Sequence, residues 1–421
     1  MNVINACLRG KEGYYTIRCD QGRFQSITRQ AGMIEKTSAA ADTEIDAQGN
    51  LLCAPFVEPH IHLDAVLTAG EPRWNMSGTL FEGIECWSER KSMLTHEDVQ
   101  SRVLKTVELL IENGIQHVRT HVDITDPELV ALKAIHQLRP EIAPYLDLQI
   151  VAFPQEGILS FPNGTKLMEE SLVHGVDVIG GIPHFEYTRE YGVQSVEWLM
   201  ALAEKHHKLV DVHCDEIDDD ASRFLEVLAT TALEKGMGAR VTASHTTAMH
   251  SYNNAYCSKL FRLLKKSQIN FISCPTESIH LQGRFDTYPK RRGITRVKEL
   301  REAGLNVCFG QDSIQDPWYS LGNGKLLRVL DSGLHSCQMM GYEDLATALD
   351  LITENGAKAL NIADQYGIEA GKPANFIILA GQNDVEVIQK QSEVLYSVRE
   401  GKILVSRKPA EFEARVSLSR G

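Results

Sequence analysis

The stretch Phe56-Val-Glu-Pro-His-Ile-His-Leu-Asp64 places two histidines, His60 and His62, directly after an apolar run at residues 51–57. Residues i and i+2 of a β-strand point to the same face, so the two imidazoles can bind one metal ion from one side. A strand end also gives the rigid support that a catalytic site needs. Because such a short spacing also arises by chance, its meaning depends on the rest of the chain.

Between residues 50 and 360 two kinds of segment alternate. Apolar, β-branched runs of strand length occupy residues 51–57, 115–123, 146–154, 177–184, 209–216, 240–247, 270–278 and 306–313. Amphipathic stretches of helical length occupy residues 96–113, 127–138, 164–174, 193–207, 221–235, 253–267 and 295–304, with two more between Asn323 and Asn355. This alternation predicts an α/β fold, a (β/α)8 TIM barrel, with a doubly wound sheet as the alternative.

The two ends of the chain have a different pattern. Residues 1–50 and 366–410 are short strand-like segments separated by turns such as Gly10-Lys-Glu-Gly13. Each end is too short to be stable alone, so we expect both termini to pair into one small, β-sandwich-like domain. The predicted boundaries are 1–54 and 366–421 for the two parts of this domain, and 55–365 for the barrel.

The composition excludes several classes of function. A chain of 421 residues is long enough for one large domain and a smaller one. Its net charge of −13 argues against nucleic-acid binding, which needs a basic stripe. No secretory signal is evident, and no apolar run approaches the ~20 residues of a membrane span. The nine cysteines, an odd number without a CxxC pair, indicate reduced thiols and a cytoplasmic protein.

Side chains that can bind metal, move protons or form paired hydrogen bonds recur at the ends of five predicted strands. They are His60 and His62, Gln155, His213 with Glu216, His245, and Asp312 with Ser313. Barrel enzymes build their active sites at the C-terminal edge of the strands. Each histidine alone has an ordinary structural explanation. The occurrence of such side chains at the ends of five strands, however, indicates one active site.

Four of these side chains suit a single divalent ion that prefers nitrogen and oxygen ligands. The set is His60, His62, His213 and Asp312. Zn²⁺ and Fe²⁺ both accept these ligands, and the sequence does not distinguish them. A water at the remaining position would have its pKa lowered towards ~7. We expect His245 to hydrogen-bond this water, Asp312 to accept its proton, and Glu216 to pass the proton on.

Several longer stretches of the chain match one family. They include Val57-Glu-Pro-His-Ile-His-Leu-Asp64, Val151-Ala-Phe-Pro-Gln-Glu-Gly-Ile-Leu159, Asp211-Val-His-Cys-Asp-Glu-Ile-Asp218 and residues 77–85, 115–123, 239–252 and 280–295. In these stretches the chain resembles the amidohydrolase superfamily, and within it the bacterial cytosine deaminases. The resemblance implies a barrel with one metal and hydrolytic loss of ammonia from a free aminopyrimidine, by attack of hydroxide on C4.

The resemblance also implies how the base is bound. Gln155 would hold it through an amide edge that matches the carbonyl and adjacent ring NH of a pyrimidone. Phe153, Leu80 and Trp318 would form apolar walls. The other known deaminase design needs a PCxxC motif, which is absent from this sequence.

The sequence departs from the cytosine deaminase pattern directly after Asp312. Ser313 stands where those enzymes have a second aspartate, and Gln311 and Glu277 also differ from the pattern. The smaller, uncharged Ser313 leaves room for a methyl group, whose burial is worth ~1 kcal/mol. We therefore expect 5-methylcytosine, converted to thymine and ammonia, as the substrate. Cytosine itself, isoguanine, a pterin or another aminated heterocycle are the alternatives.

Two other classes of protein remain as competing hypotheses. A two-metal hydrolase of cyclic amides would need a lysine at the end of strand 4, where the chain reads Ile182-Pro-His-Phe-Glu186. A non-catalytic binding protein would be expected to have lost metal ligands, which are all present. The resemblance further suggests a homo-oligomer, acting on a small nucleobase without a nucleic-acid or membrane partner.

Overall fold

The computed structural model describes residues 1–36 and 44–408, which contain sixteen strands and thirteen α-helices. The strands are β1 (Asn2–Leu8), β2 (Lys11–Asp20), β3 (Arg23–Arg29), β4 (Glu44–Asp46), β5 (Leu51–Cys53), β6 (Phe56–Ile61), β7 (Ile115–Asp123), β8 (Asp147–Phe153), β9 (Val178–Gly181), β10 (Leu209–Cys214), β11 (Val241–His245), β12 (Asn270–Ser273), β13 (Val307–Phe309), β14 (Phe376–Leu379), β15 (Val394–Arg399) and β16 (Lys402–Ser406). The α-helices are α1 (Leu80–Lys91), α2 (His96–Glu112), α3 (Val130–Ile142), α4 (Gly164–Val173), α5 (Arg189–Lys205), α6 (Phe224–Glu234), α7 (Asn254–Ser267), α8 (Pro275–Leu281), α9 (Val297–Glu302), α10 (Leu326–Ser336), α11 (Tyr342–Ala346), α12 (Glu354–Ala359) and α13 (Asp384–Lys390).

Strands β6 to β13 form one parallel sheet in which each strand pairs with the next along the chain. A parallel bridge between Ile61 and Asp312 joins the first strand to the segment after the last, so the sheet closes on itself. Helices cover the outside, and strand β7 is buried at all nine positions, as expected for a strand inside a closed α/β core. This confirms the predicted (β/α)8 barrel rather than the doubly wound sheet.

Two local features of the sequence, a capping residue and a glycine, position helix α1 against Trp318. The Thr79 side chain caps its first turn by accepting a hydrogen bond from the backbone N–H of Glu82. A Cβ at Gly83 would lie 2.3 Å from Cδ1 of Trp318, so the absence of a side chain there lets the helix approach the indole ring. The packing of α1 on Trp318 fixes the position of Leu80 at the start of the helix.

Strands from both ends of the chain form a second sheet, in the order β16-β15-β14-β5-β1-β2-β3, with β4 paired to β1. Its core includes Val3, Ile17, Phe24 and Phe376, all nearly or fully buried. The predicted β-unit built from both termini is therefore confirmed, and helix α13 is an element that the sequence pattern did not indicate. Residues 409–421, assigned to the same unit by prediction, lie outside the described residues.

The chain divides into two compact units, Met1–Ala54 with Ile368–Gly421, and Pro55–Gly367. None of the helices in the described ranges is long and apolar enough to cross a membrane.

Proline explains two of the differences in extent between the predicted and the observed strands. The apolar run 51–57 is two strands, β5 and β6, in different sheets, because Pro55 lies between them and has no N–H for a ladder. The run 270–278 ends as a strand at Ser273. Pro275 then opens helix α8, where the missing N–H costs nothing in the first turn.

Candidate active site

The four predicted metal ligands meet at the C-terminal edge of the barrel. The Nε2 atom of His213 lies 3.2 Å from Nε2 of His60 and 3.1 Å from Nε2 of His62. Oδ1 of Asp312 lies 3.5 Å and 3.4 Å from the same nitrogens of His60 and His62. Strand β6 and the residue after it supply two imidazoles, β10 supplies the third, and the segment after β13 supplies the carboxylate.

The electrostatics of this cluster favour a cation. Burial, followed by the neighbouring imidazoles, lowers the pKa of His60, His62 and His213 well below 6.5. Neutral imidazoles whose ring nitrogens face one another at about 3 Å offer lone pairs to a common point. Three nitrogens and one carboxylate oxygen are a donor set that fits one divalent transition metal. The residues present therefore fit the metal that the sequence predicts.

A buried chain of hydrogen bonds sets the tautomer of His60. The Ser244 hydroxyl donates to Asp211 Oδ1 at 2.6 Å, and Asp211 Oδ2 accepts from Arg119 at 2.9 Å. Because the Ser244 hydrogen is used in this way, His60 Nδ1–H donates to its oxygen at 3.0 Å. Nε2 of His60 is then left with its lone pair, as a metal ligand requires. The ring of His121 stacks on His60 with centroids 3.9 Å apart.

Two more groups with proton chemistry adjoin the cluster. Nδ1 of His245 lies 3.6 Å from Oε1 of Glu216 and 3.7 Å from Oδ2 of Asp312. Burial, followed by the charge of Asp312, raises the pKa of Glu216 well above 4.5. His245 and Asp312 have φ angles of 67° and 70°, which are costly for residues with a Cβ and recur at functional sites. This strained geometry brings an acid–base group next to the metal cluster.

A small cavity opens on one side of these groups. Its lining comprises His62, Leu80, Gln155, His213, Glu216, Glu277, Leu281, Asp312, Ser313 and Trp318. Four of the five predicted substrate contacts are among them, namely Leu80, Gln155, Ser313 and Trp318.

The fifth predicted contact, Phe153, is placed differently. Its ring is fully buried and stacks on the imidazole of His213, with centroids 4.0 Å apart and an interplanar angle of 20°. Phe153 is the last residue of β8 and packs with the side chains that fill the barrel, whereas Gln155, two residues further on, reaches the cavity. The ring therefore supports a predicted metal ligand instead of forming a wall of the cavity.

Three buried carboxyl groups around the site were not predicted to have a role, namely those of Glu277, Asp316 and Asp211. Glu277, on the first turn of α8, lines the cavity. Burial and the charges of Asp312, Asp316 and Glu216 raise its pKa, and a hydrogen bond from Ser313 opposes that rise. Oδ1 of Asp316 accepts the backbone N–H groups of Trp318 and Tyr319, both at 3.0 Å, and so positions the indole ring.

The sequence pattern did contain a signal for Asp211. Asp211 precedes His213 by two residues on β10, so both side chains point to the same face of the strand.

Comparison with known proteins agrees with the geometry of this site. A family model described as "Amidohydrolase family" matches residues 43–405. Crystal structures of 5-methylcytosine deaminase from Klebsiella pneumoniae, liganded with 5-fluorocytosine or phosphonocytosine, have TM-scores of 0.97 and 0.96 to this structure. Each is 60% identical and covers 98% of this chain, and this chain covers 99% and 100% of theirs.

A more distant relative is also named as an amidohydrolase. N-isopropylammelide isopropyl amidohydrolase from Pseudomonas sp. (strain ADP) is 28% identical over 409 residues, which are 96% of this chain and 96% of that protein. The family match extends over most of the sequence and over the whole barrel. The chain therefore belongs to the amidohydrolase family.

Proposed function

We propose that this protein is a metal-dependent hydrolase that removes ammonia from a free aminopyrimidine base, with 5-methylcytosine as its preferred substrate and thymine as the product. The observation that carries the proposal is 60% identity, over 98% of the chain, to a structure described as 5-methylcytosine deaminase. Ser313 in the cavity lining supports the choice of substrate, because a small side chain there leaves space beside the base.

His60, His62, His213 and Asp312 would hold the metal, either Zn²⁺ or Fe²⁺. When bound, the ion supplies a water whose pKa is lowered enough to make it a nucleophile near neutral pH. Elemental analysis of protein purified without added metal, compared with activity after reconstitution with each ion, decides between the two.

The remaining side chains bind the base and move protons. Gln155 orients the ring through its carboxamide, while Leu80 and Trp318 cover its faces. Asp312 accepts a proton from the attacking water, and His245 stabilises the oxygen as it adds to C4. Glu216 delivers the first of the water's two protons to the ring nitrogen. It delivers the second, released as the oxygen on C4 becomes a carbonyl, to the exocyclic nitrogen, which leaves as ammonia. A homo-oligomeric state and a cytoplasmic location stay predictions.

The test is kcat/KM for cytosine and 5-methylcytosine on metal-loaded protein, followed by ammonia release. We expect about fivefold preference for 5-methylcytosine, since filling a methyl-sized space is worth ~1 kcal/mol. The Ser313→Asp variant should shift this preference towards cytosine, whereas Ser278→Ala, outside the cavity lining, should leave it unchanged. A wild-type preference for cytosine would contradict the substrate assignment. Activity on neither base would contradict the proposed function and direct the search to isoguanine or pterins.

A further inference from the structure

The part of the cavity next to Ser313 is polar. Glu277 lines the cavity beside it and is only 2% exposed. Its Oε2 atom has no hydrogen-bond partner within residues 1–36 and 44–408, and neither does Oδ2 of the neighbouring Asp316. Hydrogen bonding by Ser313 affects the pKa of both carboxyl groups, which places the hydroxyl next to both.

A buried polar atom without a partner lowers the stability of the fold, and the protein could avoid that cost with an apolar side chain of similar size. A methyl group on the ligand does not relieve the cost, because it offers no hydrogen to Oε2 of Glu277. A ligand group with an O–H at this position does relieve it. Glu277, which carries the unsatisfied oxygen, lines the cavity together with Ser313, on the side where the proposed function puts the C5 substituent of the base.

We propose that Ser313 and Glu277 form a polar subsite for a C5 substituent that carries a hydrogen-bond donor, and that 5-hydroxymethylcytosine is a substrate. This inference rests on the proposed function, which assigns Ser313 to the C5 side of the ring. The substituent O–H donates to Oε2 of Glu277, beside the Ser313 hydroxyl. A C5 carboxylate is excluded, because it would place a further negative charge among Glu277, Asp316 and Asp312.

The reaction at C4 is the same as for the methyl substrate. Water adds to C4, the bond from C4 to the exocyclic nitrogen breaks, and the nitrogen leaves as ammonia with the proton that Glu216 supplies. The products are 5-hydroxymethyluracil and ammonia. Since no electrons are transferred, the step needs no oxidant or reductant.

The experiment compares two substituents of equal size. The hydroxymethyl and ethyl groups have the same number of heavy atoms, but only the first can donate a hydrogen bond. On metal-loaded wild-type protein we expect kcat/KM for 5-hydroxymethylcytosine to exceed that for 5-ethylcytosine by about tenfold or more, the factor expected for one buried hydrogen bond. 5-Methylcytosine is measured alongside, because its turnover tests the proposed function separately.

Three variants locate the effect. Glu277→Leu should reduce the hydroxymethyl-to-ethyl ratio to about one, whereas Glu277→Gln keeps polar atoms at the site and should retain most of the ratio. Ser278→Ala, on the same turn of α8 but outside the cavity lining, should leave the ratio at its wild-type value. Each ratio is measured within one protein, so a loss of folded material does not alter it.

Three outcomes would overturn the inference while leaving the proposed function intact. The first is turnover of 5-methylcytosine with equal or better use of the ethyl than of the hydroxymethyl substrate. The second is turnover of 5-methylcytosine but of neither larger base, which would show that the subsite is too small. The third is an unchanged ratio in Glu277→Leu. No activity on any cytosine would instead contradict the proposed function.

Discussion

In the proposed mechanism, proton transfer depends most directly on Glu216. It lines the cavity and lies 3.6 Å from His245. Replacement of Glu216 by Gln keeps the size and removes the exchangeable proton, so we expect kcat to fall by about 10²–10⁴-fold with little change in KM. Steady-state kinetics check this, and bound metal measured in the same samples should equal that of the wild type.

The matched control for this prediction is Glu234→Gln, because Glu234 is an exposed glutamate at the end of α6. It should retain wild-type kcat. A Glu216→Gln variant that lost its metal along with its activity would contradict the assignment, since it would make Glu216 part of metal binding.

In the proposed metal site, the hydroxyl of Ser244 would act on the metal only through His60. It accepts from Nδ1–H of His60 and donates to Asp211, so it holds the imidazole in the tautomer and orientation that a metal ligand needs. Without it, in Ser244→Ala, we expect metal affinity to fall by about 10–100-fold, as for other residues that orient metal ligands. Competition with a chromophoric chelator measures the affinity.

Ser273→Ala is the control for this measurement, because Ser273 is equally buried on the adjacent strand β12 and its hydroxyl has no partner in the described part of the chain. Its metal affinity should match the wild type. Equal affinities in both variants would mean that His60 needs no support from Ser244.

At the scale of secondary-structure elements, the ends of strands were easier to predict than the connections between them. Barrel geometry brings all strand ends to one edge, so the chemistry of His60, His213 and Asp312 could be collected from the sequence before any distance was known. The chain from Arg119 through Asp211 to Ser244 could not, because strand alternation tells which face a side chain is on but not which neighbour it meets.

Helix α8 shows the other limit of prediction. Its residues continue an apolar run, so the pattern predicted a strand, and the direction of Glu277 could not be inferred. The position of Leu80 in the cavity lining was predicted only from the family resemblance. It depends on the tertiary packing of α1 on Trp318, which the sequence pattern does not show.

Glu277, on helix α8, should carry a measurable cost to the stability of the fold. Replacing Glu277 with Leu removes a buried carboxyl group with an unsatisfied oxygen, so we expect the melting temperature to rise, with a gain of roughly 1–3 kcal/mol. The gain should depend on pH. Folding raises the pKa of Glu277 above 4.5, so the folded state holds the proton more tightly, and the stability of the wild type falls as the pH rises above 4.5.

Thermal unfolding of both proteins at pH 5 and pH 8 checks this prediction. The variant should gain more at pH 8, where keeping the proton on Glu277 or burying its charge costs most. A variant less stable than the wild type at both values would show that Glu277 makes a favourable structural contact, and would remove the argument that it is kept for ligand binding.

At the scale of the whole barrel, the proposed metal site lies across the joint where the sheet closes. Strands β7 and β8 pair along seven residues, whereas β6 meets the last strand segment through one bridge, Ile61 to Asp312. Asp312 N–H donates to His60 O at 2.8 Å, and His62 N–H donates to Asp312 O at 3.1 Å. Since the predicted ligands lie on both sides of this joint, we expect the ion to link strand β6 to the segment after β13.

Removing the metal should therefore weaken this joint more than the rest of the barrel. We expect a chelated protein to melt at a lower temperature, with a loss of about 4 kcal/mol if the ion is present at 1,000 times its dissociation constant. Amide hydrogen exchange should accelerate in β6 and in the segment after β13, while the long β7–β8 pairing serves as the internal reference. Adding back the ion should restore exchange protection and activity together. Uniform acceleration across all eight strands would mean that the ion stabilises the barrel globally and that backbone pairing alone holds the joint closed.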